Sequence, residues 1–180
     1  SGAQPGDDIY ASGTLGDARL ALEVFRGHLS LPEAVFAQCR DRMELPTPRT
    51  ALGMALRGVA SAAADISDGL LGDLGHILQQ SQVGAQLDLA ACESLLACGH
   101  EMALSETWRR TCTLSGGDDY ELVFTAPPSS RDAVAQAAHA SNTPVTRIGA
   151  ITAATGLVLL DAQGQRVDAR FASFDHFGQA

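Results

Sequence analysis

The sequence predicts an α+β domain: a mixed β-sheet with helices packed on it. Three observations lead there. Strand-like and helix-like segments both occur, but not in the strict alternation that a doubly wound parallel sheet requires. Hydrophobic residues make up 46% of the 180 positions, an ordinary globular composition with enough apolar surface for one sizeable core. No internal repeat and no low-complexity linker divides the chain, so residues 1–180 read as a single domain.

The elements follow in order. The turn Pro5-Gly6-Asp7 introduces a short strand over 8–13. Thr14-Leu15-Gly16-Asp17 opens a helix whose apolar positions are Leu15, Ala18, Leu22 and Phe25, and Gly27 ends it. Leu31-Pro32-Glu33 starts a second helix that runs to about Met43, with proline suited to the first turn. Pro46-Thr47-Pro48-Arg49 is a rigid extended connector, because each proline pushes its predecessor out of the helical region. A small-residue helix follows over 50–59. Leu70, Leu71, Leu74, Ile77 and Leu78 share one face of a longer helix that closes near Ser81. Leu87 and Leu89 alternate in a short strand over 85–89. Residues 92–106 lack a clean period and read as a loop with one or two helical turns. Trp108 heads the next segment, to Leu114, as a packing residue. A strand over 122–125, an alanine-rich helix over 130–139 and two strands over 145–151 and 157–160 follow, with a turn at Gln163-Gly164. The tail from Phe171 to Phe177 carries three phenylalanines, which either dock in the core or cover a pocket.

The chain is organised around Asp65-Ile66-Ser67-Asp68-Gly69-Leu70. This stretch falls at the start of the longer helix, where Ser67 and Asp68 are natural N-caps and Gly69 lets the backbone turn. Two carboxylates three residues apart, with a hydroxyl between them and free amides beneath, also suit a hard divalent cation together with a phosphate. A second acidic run, Ser115-Gly116-Gly117-Asp118-Asp119-Tyr120-Glu121-Leu122, precedes a strand. Its three carboxylates within four positions repel unless a cation or hydrogen-bond donors offset them.

Composition narrows the chemistry. A net charge of −9 opposes binding to nucleic acid, which needs a basic stripe, and no apolar run approaches the ~20 residues of a membrane span. The 12 basic residues are all arginine. A lysine Schiff base, a P-loop lysine and a kinase-type strand lysine are therefore excluded from this segment, and any phosphate chemistry relies on metal, arginine and backbone amides. Cys39, Cys92, Cys98 and Cys112 form no Cys-x-x-Cys pair and read as free thiols in a reducing compartment. Cys98 lies close to His100, but no second pair completes a zinc site.

Three stretches then converge: Gly6-Asp7-Asp8-Ile9-Tyr10-Ala11-Ser12-Gly13-Thr14-Leu15-Gly16, Asp65-Ile66-Ser67-Asp68-Gly69-Leu70, and Gly116-Gly117-Asp118-Asp119-Tyr120-Glu121-Leu122. In this order and at these separations they closely resemble the C-terminal half of the thiamine-monophosphate kinase family, within the aminoimidazole ribonucleotide synthetase-like superfamily. Pro46-Thr47-Pro48-Arg49 and Phe174-Asp175-His176-Phe177 fit it too. The resemblance implies the fold of that C-terminal domain and an ATP-dependent conversion of thiamine monophosphate to thiamine diphosphate with several Mg²⁺ ions. It implies Asp65 and Asp68 as metal ligands, Ser67 as a contact to the ATP phosphates, Asp118 as a contact to the thiamine moiety and Phe174 packing against it. No catalytic side chain is assigned. It also implies a cytoplasmic protein that is a homodimer at full length, and an N-terminal half, absent from this chain, that supplies most metal ligands. The segment alone is expected to be inactive. The sequence departs from the family at Asp118, where glutamate is more usual, and at Leu45, where arginine often stands. Two other readings stand beside it: a sister ATP-dependent synthetase of the aminoimidazole ribonucleotide or selenophosphate type, and a non-catalytic ligand-binding module.

Overall fold

The computed structural model describes residues 1–98 and 104–167. Seven strands form one sheet: β1 (Asp8–Ser12), β2 (Ala62–Ile66), β3 (Gly84–Asp88), β4 (Glu121–Ala126), β5 (Val145–Thr152), β6 (Gly156–Leu160) and β7 (Arg166–Val167). Their order is β2-β4-β1-β5-β3-β6-β7. Every neighbouring pair is antiparallel except β3 and β6, so the sheet is mixed, as the sequence predicts.

Helices cover both faces. On one, α4 (Leu70–Ser81) and α5 (Leu89–Glu93) bury Leu70, Leu74, Ile77 and Leu89 against Ile9, Ile66, Val123 and Ile148. On the other, α3 (Thr50–Ala55) and α7 (Arg131–Ala140) bring Leu52, Val134 and Ala137 onto Tyr10, Phe124 and Ala126, with Tyr10 stacked on Phe124. The alternation along β1 and β4 supplies both cores, because successive side chains leave opposite faces. A satellite core joins α1 (Asp17–Phe25), α2 (Glu33–Glu44) and α6 (Glu106–Ser115) around Leu20, Val35, Cys39, Leu96 and Cys112, with Trp108 packed beside them.

Four local expectations change. Helix α3 stops at Ala55 rather than near Val59, because Gly58 turns the chain with φ 75°. Helix α1 does not bury Phe25, which is 56% exposed and meets Phe36 edge-on; Leu20 and Ala21 face the core with Ala18 instead. Helix α6 begins at Glu106, where the Ser105 hydroxyl accepts a hydrogen bond from the Trp108 N–H as a cap. Ser67 and Asp68 do not cap α4. Gly69 occupies that position, and the chain reverses the usual relation: the Asp73 carboxylate, in the helix's first turn, accepts from the Ser67 and Asp68 N–H groups at 2.9 and 3.0 Å. Among the described residues no helix is long and apolar enough to cross a membrane.

Candidate active site

The C-terminal ends of β1 and β2 and the N-terminal end of β4 lie together, because both pairings are antiparallel. That edge gathers the acidic stretches. The Ser67–Gly69 turn and the Gly116–Tyr120 loop extend the β2–β4 ladder past the sheet: Asp118 N–H donates to Ser67 O and Tyr120 N–H to Ile66 O, both at 3.0 Å. The two loops touch backbone to backbone. A Cβ on Gly117 would lie 2.3 Å from Ser67 O, so only glycine permits this approach.

Asp118 and Tyr120 both adopt left-handed backbone, with φ of 66° and 52°, and Asp119 lies between them. The left-handed region costs an ordinary side chain roughly 1–2 kcal/mol, so the loop stores strain in two places. The alternation turns Asp118 and Tyr120 outward, where both are exposed, and drives Asp119 fully inward. The three carboxylates that look crowded in the sequence therefore part company.

Glu121 is buried and becomes a hub. The Arg49 guanidinium donates to it in bidentate fashion at 2.6 and 2.7 Å, Arg42 donates at 2.9 Å and the Ser12 hydroxyl at 2.6 Å. The Ser12 hydroxyl in turn accepts from Leu122 N–H. The Glu121 bond holds the Arg49 guanidinium above its ordinary pKa, against burial. Gly13 is required beside the hub, since a Cβ there would fall 2.1 Å from the Glu121 carboxylate. Asp119 is held differently. Its Oδ2 accepts from Gly16 N–H at 2.8 Å, and its buried Oδ1 has no partner. Burial pushes its carboxyl up to about 7; the Gly16 N–H pulls it down, Asp17 pushes it further up and Arg42 opposes. Burial likewise raises Asp73 above the ordinary carboxylate range, opposed by the Asp68 and Ser67 amides it receives.

Of the residues singled out in the sequence, Asp65, Ser67, Asp68 and Asp118 fall on these adjoining segments. Asp65, Asp68 and Asp118 are exposed and Ser67 is half-buried. Asp65 and Tyr120 line an open groove of about 460 Å³ with Pro48, Arg49, Thr50 and Met54. Phe174 and the rest of the aromatic tail lie outside the described residues, as does His100. Asp65, Asp68 and Asp118 do not converge on one point; the single tight group of three candidate ligand atoms among the described residues lies elsewhere, at Asp17, Cys39 and Cys98. The oxygen donors nevertheless fit Mg²⁺, which keeps several waters and takes one or two carboxylates plus substrate phosphates rather than an all-protein cage.

Sequence reasoning missed the division of labour among Asp119, Glu121 and the arginines. The signal was present in Pro46-Thr47-Pro48-Arg49: a rigid connector ending in arginine is built to place that arginine, here onto Glu121.

Known proteins share this fold. Residues 4–161 match the family described as AIR synthase related protein, C-terminal domain. The thiamine-monophosphate kinase of Escherichia coli (strain K12) is 39% identical over 178 residues, covering 98% of this chain and 54% of the relative. A crystal structure of thiamine-monophosphate kinase from Stenotrophomonas maltophilia K279a superposes with a TM-score of 0.79 at 42% identity, over 92% of this chain and 52% of that one. The structure described as AaThiL complexed with AMPPCP and TMP superposes with a TM-score of 0.71 at 27% identity, over 93% and 51%. The chain spans about half the length of the curated relatives it matches. With the mixed sheet, its two helical layers and the paired acidic loops all in place, the chain belongs to the AIR synthase related protein C-terminal domain family.

Proposed function

We propose that this chain is the C-terminal substrate- and nucleotide-binding domain of an ATP-dependent thiamine-monophosphate kinase. The observation that carries the reading is the backbone contact between the Ser67–Gly69 turn and the Gly116–Tyr120 loop, which gathers Asp65, Ser67, Asp68 and Asp118 at one sheet edge. Its relatives bear that kinase's name, and a neighbour of the same fold is described with AMPPCP and TMP bound.

The chemistry suits a site without lysine. A terminal phosphate oxygen of thiamine monophosphate is largely ionised at neutral pH, since the second phosphate pKa is about 6, so it needs no general base. That oxygen forms a bond to the γ-phosphorus of ATP while the bond from the γ-phosphorus to the β–γ bridging oxygen breaks, and ADP leaves with the electron pair. The chain's task is positioning and charge compensation. Asp65 and Asp68 would hold Mg²⁺, which when bound neutralises the polyphosphate charge. The Ser67 hydroxyl donates to a nucleotide phosphate oxygen. Asp118 meets the thiamine moiety, and Phe174 packs against it. An N-terminal half completes the site, the full-length protein is a cytoplasmic homodimer, and the 180-residue segment alone does not turn over.

The test uses the full-length protein. Thiamine diphosphate and ADP should form in equal amounts from thiamine monophosphate and Mg·ATP. Asp68→Asn should abolish the Mg²⁺-dependent part of AMPPCP affinity, and Asp118→Ala should weaken calorimetric binding of thiamine monophosphate at least about tenfold, the ~1.4 kcal/mol of one lost contact. Unchanged AMPPCP affinity in Asp68→Asn, or turnover of a formyl amidine or selenide in place of thiamine monophosphate, would overturn the assignment.

A further inference from the structure

Behind the acidic loops lies a cluster that the kinase reading does not use. Asp17 opens α1, Cys39 sits within α2, and Cys98 lies on the segment after α5. All three are buried, and one ligand atom from each lies within 4.8 Å of the others. The Asp17 carboxylate accepts from two uncharged donors, the Cys98 N–H at 3.1 Å and the Thr14 hydroxyl at 3.3 Å. Among the described residues, none of the ion pairs engages it. A buried carboxylate is ordinarily paired with a cation or bound to a metal. The Cys98 thiol is buried beside Cys39 and Asp17. Gln38 brings its side-chain oxygen to 3.9 Å from Cys98 Sγ at the exposed edge of the cluster.

We propose that Asp17, Cys39 and Cys98 form a structural site for a thiophilic divalent cation of the zinc class. Two sulfurs and one carboxylate oxygen are a borderline-soft donor set, which selects zinc over the hard Mg²⁺ of phosphate chemistry. Tetrahedral Zn–S bonds of about 2.3 Å put sulfurs roughly 3.8 Å apart, within the spacing seen here and reached by small side-chain adjustments. Binding exchanges two thiol protons for one cation, so the metal's affinity rises with pH and two protons are released per metal. The site ties α1 and α2 of the satellite core to the segment after α5. It also lies behind the acidic loops: Arg42, three residues beyond Cys39 on α2, holds Glu121, and Gly16, next to Asp17, donates to Asp119. A sequence scan for close cysteine pairs misses it, because Cys39 and Cys98 come from distant parts of the chain.

The experiment uses the full-length protein kept under a phosphine reductant, so that disulfide formation is blocked. Co²⁺ is the optical probe and Zn²⁺ the competitor. Uptake of one equivalent of Co²⁺ should release two protons and give a sulfur-to-cobalt charge-transfer band with tetrahedral d–d bands, and Zn²⁺ should then abolish the bands by displacing the cobalt. Cys39→Ser and Cys98→Ser should each lose the band, while Cys92→Ser and Cys112→Ser keep it. Zinc-edge X-ray absorption on the unmutated protein should show two sulfur neighbours, a readout that needs no variant to fold. An absent charge-transfer band, a band that survives in Cys39→Ser, or a zinc shell of nitrogen and oxygen alone would overturn the site. None of these readouts depends on kinase turnover.

Discussion

Asp119 and Glu121 are two residues apart, equally buried, and held in opposite ways. Glu121 receives two guanidinium groups and a hydroxyl. Asp119 receives a backbone N–H on one oxygen and nothing on the other. The first is a carboxylate clamped between two guanidiniums. The second is a buried acid with its pKa pushed up to about 7 by burial. Burial alone thus says little about what a carboxylate does; the donors around it decide whether it locks the structure or titrates within the physiological range.

The largest effect that would break this contrast is removal of the locked anion. Glu121→Ala leaves the Arg42 and Arg49 guanidiniums facing each other across an empty hub and should cost about 3–5 kcal/mol, the usual penalty for breaking a buried pair from one side. Urea unfolding at constant slope measures it, and a loss under about 1 kcal/mol would mean that Glu121 is not the anchor described. The next effect sharpens the contrast through pH. Between about pH 4 and about 7 the folded chain keeps the Asp119 proton while the unfolded chain has lost it, so the folded state binds more protons and stability falls as pH rises. The slope is at most ~1.4 kcal/mol per pH unit, which over this window amounts to no more than about 4 kcal/mol. Asp119→Asn should flatten that slope in unfolding curves taken at several pH values; an equal slope in both proteins would assign the dependence to other groups. The smallest effect tests the loop contact. Gly117→Ala forces a Cβ to 2.3 Å from Ser67 O unless the loops part, and should cost about 1–3 kcal/mol in thermal unfolding. A neutral substitution would show that the two loops separate freely.

The sequence made the sheet and most helices legible because strand alternation and the 3.6-residue period survive in the packed chain, as in Leu70, Leu74, Ile77 and Leu78 of α4. Boundaries set by single residues were less so: α3 ends early before Gly58, and α6 depends on a Ser105 cap inside a stretch without period. The meeting of the two acidic loops was not legible in the sequence. Periodicity could not reveal it, because the contact is backbone to backbone. The Asp73 brace was illegible for a different reason. N-cap preference looks at residues before a helix, whereas here the donors lie before it and the acceptor one turn inside. Likewise the counter-charges of Glu121 come from elements that local charge counting never compares.

The Glu121 hub carries a further consequence, for the order in which this chain acquires its structure. Its partners lie 109, 79 and 72 residues away in sequence. Contacts of such long separation form only after large loops have closed, so they belong to the late, slow part of folding. By the same token they are exposed to loss in any partial opening that frees α2 or the proline connector. Helix α4 and its turn are local and can form early, while Ser12, Arg42, Arg49 and Glu121 meet only when β1, α2, the proline connector and β4 are all in place. The acidic edge is therefore a report on the whole domain: a chain that is nearly folded has its helices but not yet its site.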